Sequence, residues 1–210
     1  LSETGARRRM TLRAAPVLLR PLALGGAGAV TAQDVSGRIV GAPRSGGAVL
    51  VVYLAGSART TTPSPEATIA QRQKTFVPHV LPVAVGTTVA FLNEDSILHN
   101  LHAYQDRRTV FNRAQPAFLR LIRHTFSREG TVMLLCDLHP EMEGYIVVTP
   151  TPWFGEVARD GTFTLRNVTP GAYTLAVWDQ RRRGTAVEQP LLVGPAGLTG
   201  VTIRLPSGSP

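Results

Sequence analysis

Only one of the 210 residues is cysteine, Cys136, so the chain can close no intrachain disulfide and that thiol needs another explanation. Charge is sparse too, with 17% of residues Asp, Glu, Lys or Arg. From Gln33 onward Lys and Arg number 17 against 13 Asp and Glu, a net charge of +4 compared with +8 for the whole sequence. Much of the basicity therefore sits in the first 32 residues. No basic stripe interleaved with stacking aromatics is left to argue for nucleic acid. The apolar run "APVLLRPLALGGAGAV" is short and broken by Arg20, which argues against an integral membrane span in the mature chain.

What is present favours strands and turns. A hydrophobic fraction of 43%, with 20 Gly and 16 Pro between β-branched runs, reads as a mostly β globular protein. The length allows one medium domain or two small ones. Residues 1–32 read as a signal peptide, because Arg7, Arg8, Arg9 and Arg13 precede the apolar run and small residues at "VTA" follow it. The expectation is export, to the periplasm or beyond. Met10 is an alternative start; upstream initiation would give the arginine pair before "MTL" a faint likeness to a twin-arginine signal.

Residues 35–57, "VSGRIVG" and "GAVLVVYLAG" around a Pro/Gly/Ser turn, read as a β-hairpin. A Ser/Thr/Pro linker over 58–66 follows. Further strand candidates run to "TTVAFLN", which alternates as a half-buried strand does. Residues 101–128 are irregular and rich in arginine (Arg107, Arg108, Arg113, Arg120, Arg123, Arg128), either a solvated surface or a docking face for an acidic partner. From residue 151 the pattern becomes strictly alternating strands around Pro170-Gly171, with Asp160-Gly161 as a turn before them. Phe163, Leu165, Tyr173, Leu175 and Val177 are the core of this second unit, and Trp178 is read as core as well.

Cys136, His139 and Met142 recur at intervals of three in "CDLHPEM", between the strands "GTVMLL" and "GYIVVT". A curled loop turns all three side chains inward around one ion. The fourth ligand must come from elsewhere, and His99, beside a strand and followed by Asn100, is the best candidate. A thiolate, two imidazoles and a thioether form a soft set that favours copper, and His₂Cys with a weak axial Met is the donor set of blue-copper sites. Zinc is the chemical rival, although it gains little from a thioether. Thiol catalysis by Cys136 with His139 is a weaker rival, since no oxyanion or substrate features accompany it. The plain alternative is a buried inert Cys with Met142 filling core, as Met133 does. His79, His102 and His124 are left outside the site, His102 being the nearest exclusion.

Residues 67–149 resemble a cupredoxin of the plastocyanin, amicyanin and pseudoazurin type. The resemblance lies in "FVPHVLPVAVGTTVAFLNEDSILHN" and "GTVMLLCDLHPEMEGYIVV". It implies a Greek-key β-sandwich with one type 1 copper bound by His99, Cys136, His139 and Met142, and with Asn100 bracing the two ligand loops. Residues 151–206 resemble a transthyretin-like, carboxypeptidase-regulatory-like β-sandwich through "DGTFTLRNVTPGAYTLAVW". Such domains begin with a strand pair like that of residues 35–57, so the second sandwich is expected to be discontinuous with the cupredoxin inserted in it; the rival placement is a hairpin extending the cupredoxin. The whole chain is similar to exported cupredoxin-like proteins often labelled methylamine-utilisation proteins.

The function expected is an exported copper protein, not an enzyme, that carries single electrons to and from a redox protein partner. Met142 would act as axial tuner, His139 as the electron port and Asn100 as the group tuning the thiolate. The alternatives are copper storage or delivery, or a carbohydrate- or protein-binding module built on the second sandwich. A copper oxidase is disfavoured because paired His-x-His motifs are absent, and a centre bridged by two cysteines is excluded by the cysteine count.

Overall fold

A computed structural model describes residues 32–42, 48–56 and 65–206. The predicted signal peptide, apart from Ala32, and the predicted linker up to residue 64 lie outside the described residues. The remainder is all-β, and its strands in order are β1 (Gln33–Val40), β2 (Leu50–Ala55), β3 (Ala67–Arg72), β4 (Thr75–Val77), β5 (Val80–Ala84), β6 (Thr88–Asn93), β7 (His99–Gln105) and β8 (Arg108–Gln115). There follow β9 (Leu121–Thr125), β10 (Gly130–Leu135), β11 (Glu143–Thr149), β12 (Phe154–Glu156), β13 (Thr162–Val168), β14 (Gly171–Asp179), β15 (Gly184–Val193) and β16 (Leu198–Arg204).

Four sheets form from these strands, in the orders β4-β3-β6-β9, β5-β11-β10-β7-β8, β12-β2-β14-β15 and β13-β1-β16. The period of two along each strand explains how they stack. On β11, Ile146 and Val148 face a core with Phe91, Leu101, Leu134 and Cys136, while Tyr145 and Val147 face the other way. On β2, Leu50, Val52 and Leu54 enter a core with Phe163, Leu165 and Leu175, while Val51 turns outward to meet Tyr145 and Trp178. The first two sheets thus make one sandwich, the last two make a second, and a smaller apolar layer joins them. Both β2 and β11 are buried on two faces, which is why they read as nearly continuous apolar runs.

Strands β1 and β2 do not pair as a hairpin with each other. β1 lies between β13 and β16, and β2 lies between β12 and β14, so the two strands enter opposite sheets of the second sandwich. Sheet-on-sheet burial of the alternating faces of β1 and β2 outweighs the local pairing that a short connection suggests. Gly37 is required there, because a Cβ would sit 2.1 Å from the Val201 carbonyl oxygen on β16. The return crossing is tied by buried threonines: Thr149 Oγ1 donates to the Thr151 carbonyl, and Thr151 Oγ1 donates to the Leu54 carbonyl of β2.

Residues 101–128 are more regular than their sequence suggests, since they hold most of β7 together with β8 and β9. β8 is an edge strand with only Phe111 and Gln115 buried, so it shows no clean alternation, and its arginines face water as edge strands commonly arrange.

Candidate metal centre

The loop after β10 is built from two successive tight turns. The His139 N–H donates to the Cys136 carbonyl at 3.2 Å, and the Met142 N–H donates to the His139 carbonyl at 2.9 Å. Each turn advances the chain by three residues, which brings Cys136, His139 and Met142 to one side of the loop. Cys136 is 2% exposed and Met142 1% exposed, both within the core of the first sandwich, and His139 is half-buried.

His99 opens β7 and is fully buried. Its Nδ1 lies 3.1 Å from His139 Nδ1 and 3.9 Å from Cys136 Sγ, and His139 Nδ1 lies 3.5 Å from the same sulfur. A point equidistant from these three atoms is about 2 Å from each, close to the 2.0–2.3 Å lengths of metal–imidazole and metal–thiolate bonds. Among the described residues this is the one group of His, Cys, Asp or Glu side chains arranged to hold a metal ion. The donor set therefore fits an ion. Met142 is buried in the same core cluster as Cys136.

Asn100 links the two loops. Its Oδ1 accepts from the Asp137 N–H at 2.7 Å, and its Nδ2 donates to Asp137 Oδ2 at 3.0 Å and to Asn112 Oδ1 at 2.9 Å. These bonds hold the residue after the cysteine, so Asn100 reaches the sulfur through the chain. His102 stands outside the donor triangle: its Nδ1 meets Asp137 Oδ1 at 2.8 Å and its Nε2 meets Thr109 Oγ1 at 3.0 Å. The His102 ring, followed by Asn112 and Asn100, outweighs partial burial and holds the Asp137 carboxyl below the usual carboxylate range. His79 packs edge-on against Tyr145, and His124 sits between Phe111 and Phe126.

Asp95 is a residue the sequence reading missed. Its Oδ2 lies 2.8 Å from His99 Nε2, on the opposite side of the ring from the sulfur. Burial opposes ionisation of Asp95, but the N–H groups of Lys74 and Gln73 and the His99 ring outweigh it and lower its pKa. The only signal in the sequence is its place four residues before His99 in "NEDSILHN".

The site opens at one end of the sandwich, where three loops leave exposed apolar side chains: Ile97 and Leu98 before His99, Phe118 and Leu119 after β8, and Leu138 before His139. Phe118 is 90% exposed. The arginines do not gather at this end. Arg107 and Arg108 lie at the far tip of the β7–β8 hairpin, Arg123 bonds Glu66 on the other sheet, and Arg128 bonds Asp106. Arg120 is near the opening, its carbonyl accepting from the Asn93 N–H at 3.0 Å.

No protein-family model matches this chain, and no curated protein matches it. Among solved structures it is similar to a purple cupredoxin from Nitrosopumilus maritimus, at 26% identity and a TM-score of 0.36 over 40% of this chain and 99% of that one. A copper-containing nitrite reductase from Thermus scotoductus shares 29% identity at a TM-score of 0.37 over 46% of this chain and 25% of that one. An oxidised amicyanin variant shares 24% identity at a TM-score of 0.37 over 40% of this chain and 81% of that one.

Proposed function

We propose that this chain is an exported protein that binds one copper ion through His99, Cys136 and His139, with Met142 as the weak fourth ligand, and carries single electrons between partners. The observation that carries this reading is the meeting of two imidazole Nδ1 atoms and one thiol sulfur at 3.1–3.9 Å in a nearly dry setting. Two imidazoles and one thiolate, with a methionine buried in the same core cluster as the cysteine, suit copper better than zinc. Copper held there supplies one-electron chemistry between its cupric and cuprous forms.

The chain's own contribution is rigidity and exclusion of water. His99 is fixed within a strand, the cysteine loop is fixed by two turns, and Asn100 joins them, so the donors keep their places whatever charge the site holds. Burial of His99, Cys136 and Met142 keeps water away. His139 is the donor that reaches the surface, so a partner meets its ring together with Leu138, Leu98 and Phe118. This apolar opening suits a redox protein, and the acidic complement of that partner would face Arg120. Export is supported by the arginine cluster and apolar run of residues 1–32.

Repeated oxidation and reduction of the copper-loaded protein, in the presence of a strong Cu(I) chelator, separates carrying from delivery. A carrier retains its copper over many cycles. Loss of copper to the chelator on each reduction would contradict the electron-carrier reading and support delivery.

A further inference from the structure

We propose that the cleft between the two sandwiches is a binding site for one small aromatic carboxylate, with Arg107 as the group that takes its charge. The cleft is lined by none of the donor side chains, and the inference does not depend on the copper reading.

Its floor follows from strand register. Across β11, β10 and β7, Tyr145 stands opposite Met133, and Met133 stands opposite Tyr104. The period of two puts Leu135 on the same face, turned away from the core of the first sandwich. The second sandwich covers one end of this row. Trp178 packs against Tyr145, with ring centroids 5.5 Å apart, whereas Met133, Leu135 and Tyr104 stay half-buried. A cavity of about 470 Å³ remains over them, lined also by Asp106 and Arg107 from the β7–β8 tip and by Arg183 and Gly184 from the second sandwich. That volume falls within the range of about 300–1,000 Å³ usual for small-molecule pockets.

The surroundings suit a ring. Tyr104 already stacks on His102 with centroids 3.9 Å apart, and Tyr145 brings a second aromatic surface to the same row. The Met133 thioether between them is polarisable and adapts to an aromatic guest.

Charge narrows the class of guest. The Asp106 carboxylate is paired with Arg128, and Arg183 Nη2 donates to Glu143 Oε2 at 3.3 Å. The Tyr145 hydroxyl also donates to Glu143. Among the described residues the Arg107 side chain alone of these charged groups has no hydrogen-bond or ion-pair partner. One unpaired guanidinium beside an apolar floor matches one carboxylate, which its planar fork binds through two parallel hydrogen bonds. A dianion would need a second free cation.

Both arginines sit where the backbone favours glycine. Asp106 and Arg107 form the two-residue loop between paired Gln105 and Arg108, with φ of 50° and 62°. Arg183 closes the short 3-10 turn Gln180–Arg182 with φ of 53°. Loops of the first kind normally use Asn-Gly, and a glycine would hold either turn with less strain. The side chain, not the turn, accounts for arginine at these positions, and both line one cavity.

NMR titration of the metal-free full chain with cinnamate, beside the uncharged cinnamyl alcohol, tests the assignment. Cinnamate should shift the amide signals of Met133, Leu135 and Gly184 in a saturable way, one molecule per chain. It should bind about fivefold more tightly than the alcohol, the upper end for a solvent-exposed ion pair. Arg107→Gly removes the guanidinium and suits the turn, so the chain should stay folded while the acid loses its advantage over the alcohol. Shifts confined to the apolar opening around Leu98 and Phe118 would overturn the assignment. So would an absence of saturable binding, an alcohol that binds as tightly as the acid, or a preference for the acid that survives in Arg107→Gly.

Discussion

Asn100→Ala tests whether the two donor loops are held together before any metal arrives. The substitution removes three hydrogen bonds, but they differ in weight. The bond to the Asp137 carboxylate is discounted because that side chain is 48% exposed and water replaces the lost donor. Asn112 is exposed and recovers a partner from water in the same way. What remains is the Asp137 N–H, which loses an acceptor at 2.7 Å in a partly buried place. Leaving such a group unsatisfied costs about 1–2 kcal/mol, which is about a 5- to 30-fold shift in an opening equilibrium. Amide hydrogen exchange on the metal-free protein measures this at one residue. Protection of the Asp137 amide should fall by that factor, while Val132 and Leu134 in β10 keep theirs. Unchanged exchange at Asp137, or an equal loss all along β10, would refute the idea that Asn100 locally braces the cysteine loop.

Two further outcomes follow from packing and charge. Trp178 is 1% exposed at the junction of the sandwiches, with its ring centroid 5.5 Å from that of Tyr145 and its Nε1–H donating to Thr131 Oγ1 at 2.9 Å. Trp178→Ala should lower stability in urea by about 3–5 kcal/mol, and a loss below about 1 kcal/mol would mean that the junction contributes little. His124 has its imidazole held below the ordinary value of 6.5, first by burial and then by the charge of Arg113. The unfolded chain therefore binds the proton more readily, so this contribution is full above pH 6.5 and is lost as the pH falls through the folded value. His124→Gln should flatten the decline of urea stability between pH 7.5 and 5, and an identical pH slope in that variant would contradict this.

Parts of this architecture were legible in the sequence for definite physical reasons. The three-residue spacing of Cys136, His139 and Met142 corresponds to two consecutive turns, and each turn is local, so the spacing alone specifies the side the residues share. The alternation of Phe163, Leu165, Tyr173, Leu175 and Val177 corresponds to one face of β13 and β14. Trp178 was legible as buried but not as to where: it falls on the opposite face of β14 from Val177, and only the tertiary arrangement sets the other sandwich against that face. β8 was hidden because an edge strand with two buried residues out of eight carries almost no periodic signal. The turn at Gln73-Lys74 was hidden because its backbone is stabilised by a carboxylate 21 or 22 residues away instead of by its own side chains. Asp95 escaped notice for the same reason, since its role depends on contacts between segments and not on a motif.

If His99, Cys136 and His139 hold one copper ion through a thiolate bond, as proposed, the site has a direct optical signature. Loading the full chain with Cu(II) and recording its visible and EPR spectra beside those of Cys136→Ala tests it most directly. The expected result is one copper per chain and an intense visible thiolate-to-copper charge-transfer band that disappears in the variant. A folded, copper-loaded chain without that band, or a band that survives in Cys136→Ala, would contradict it.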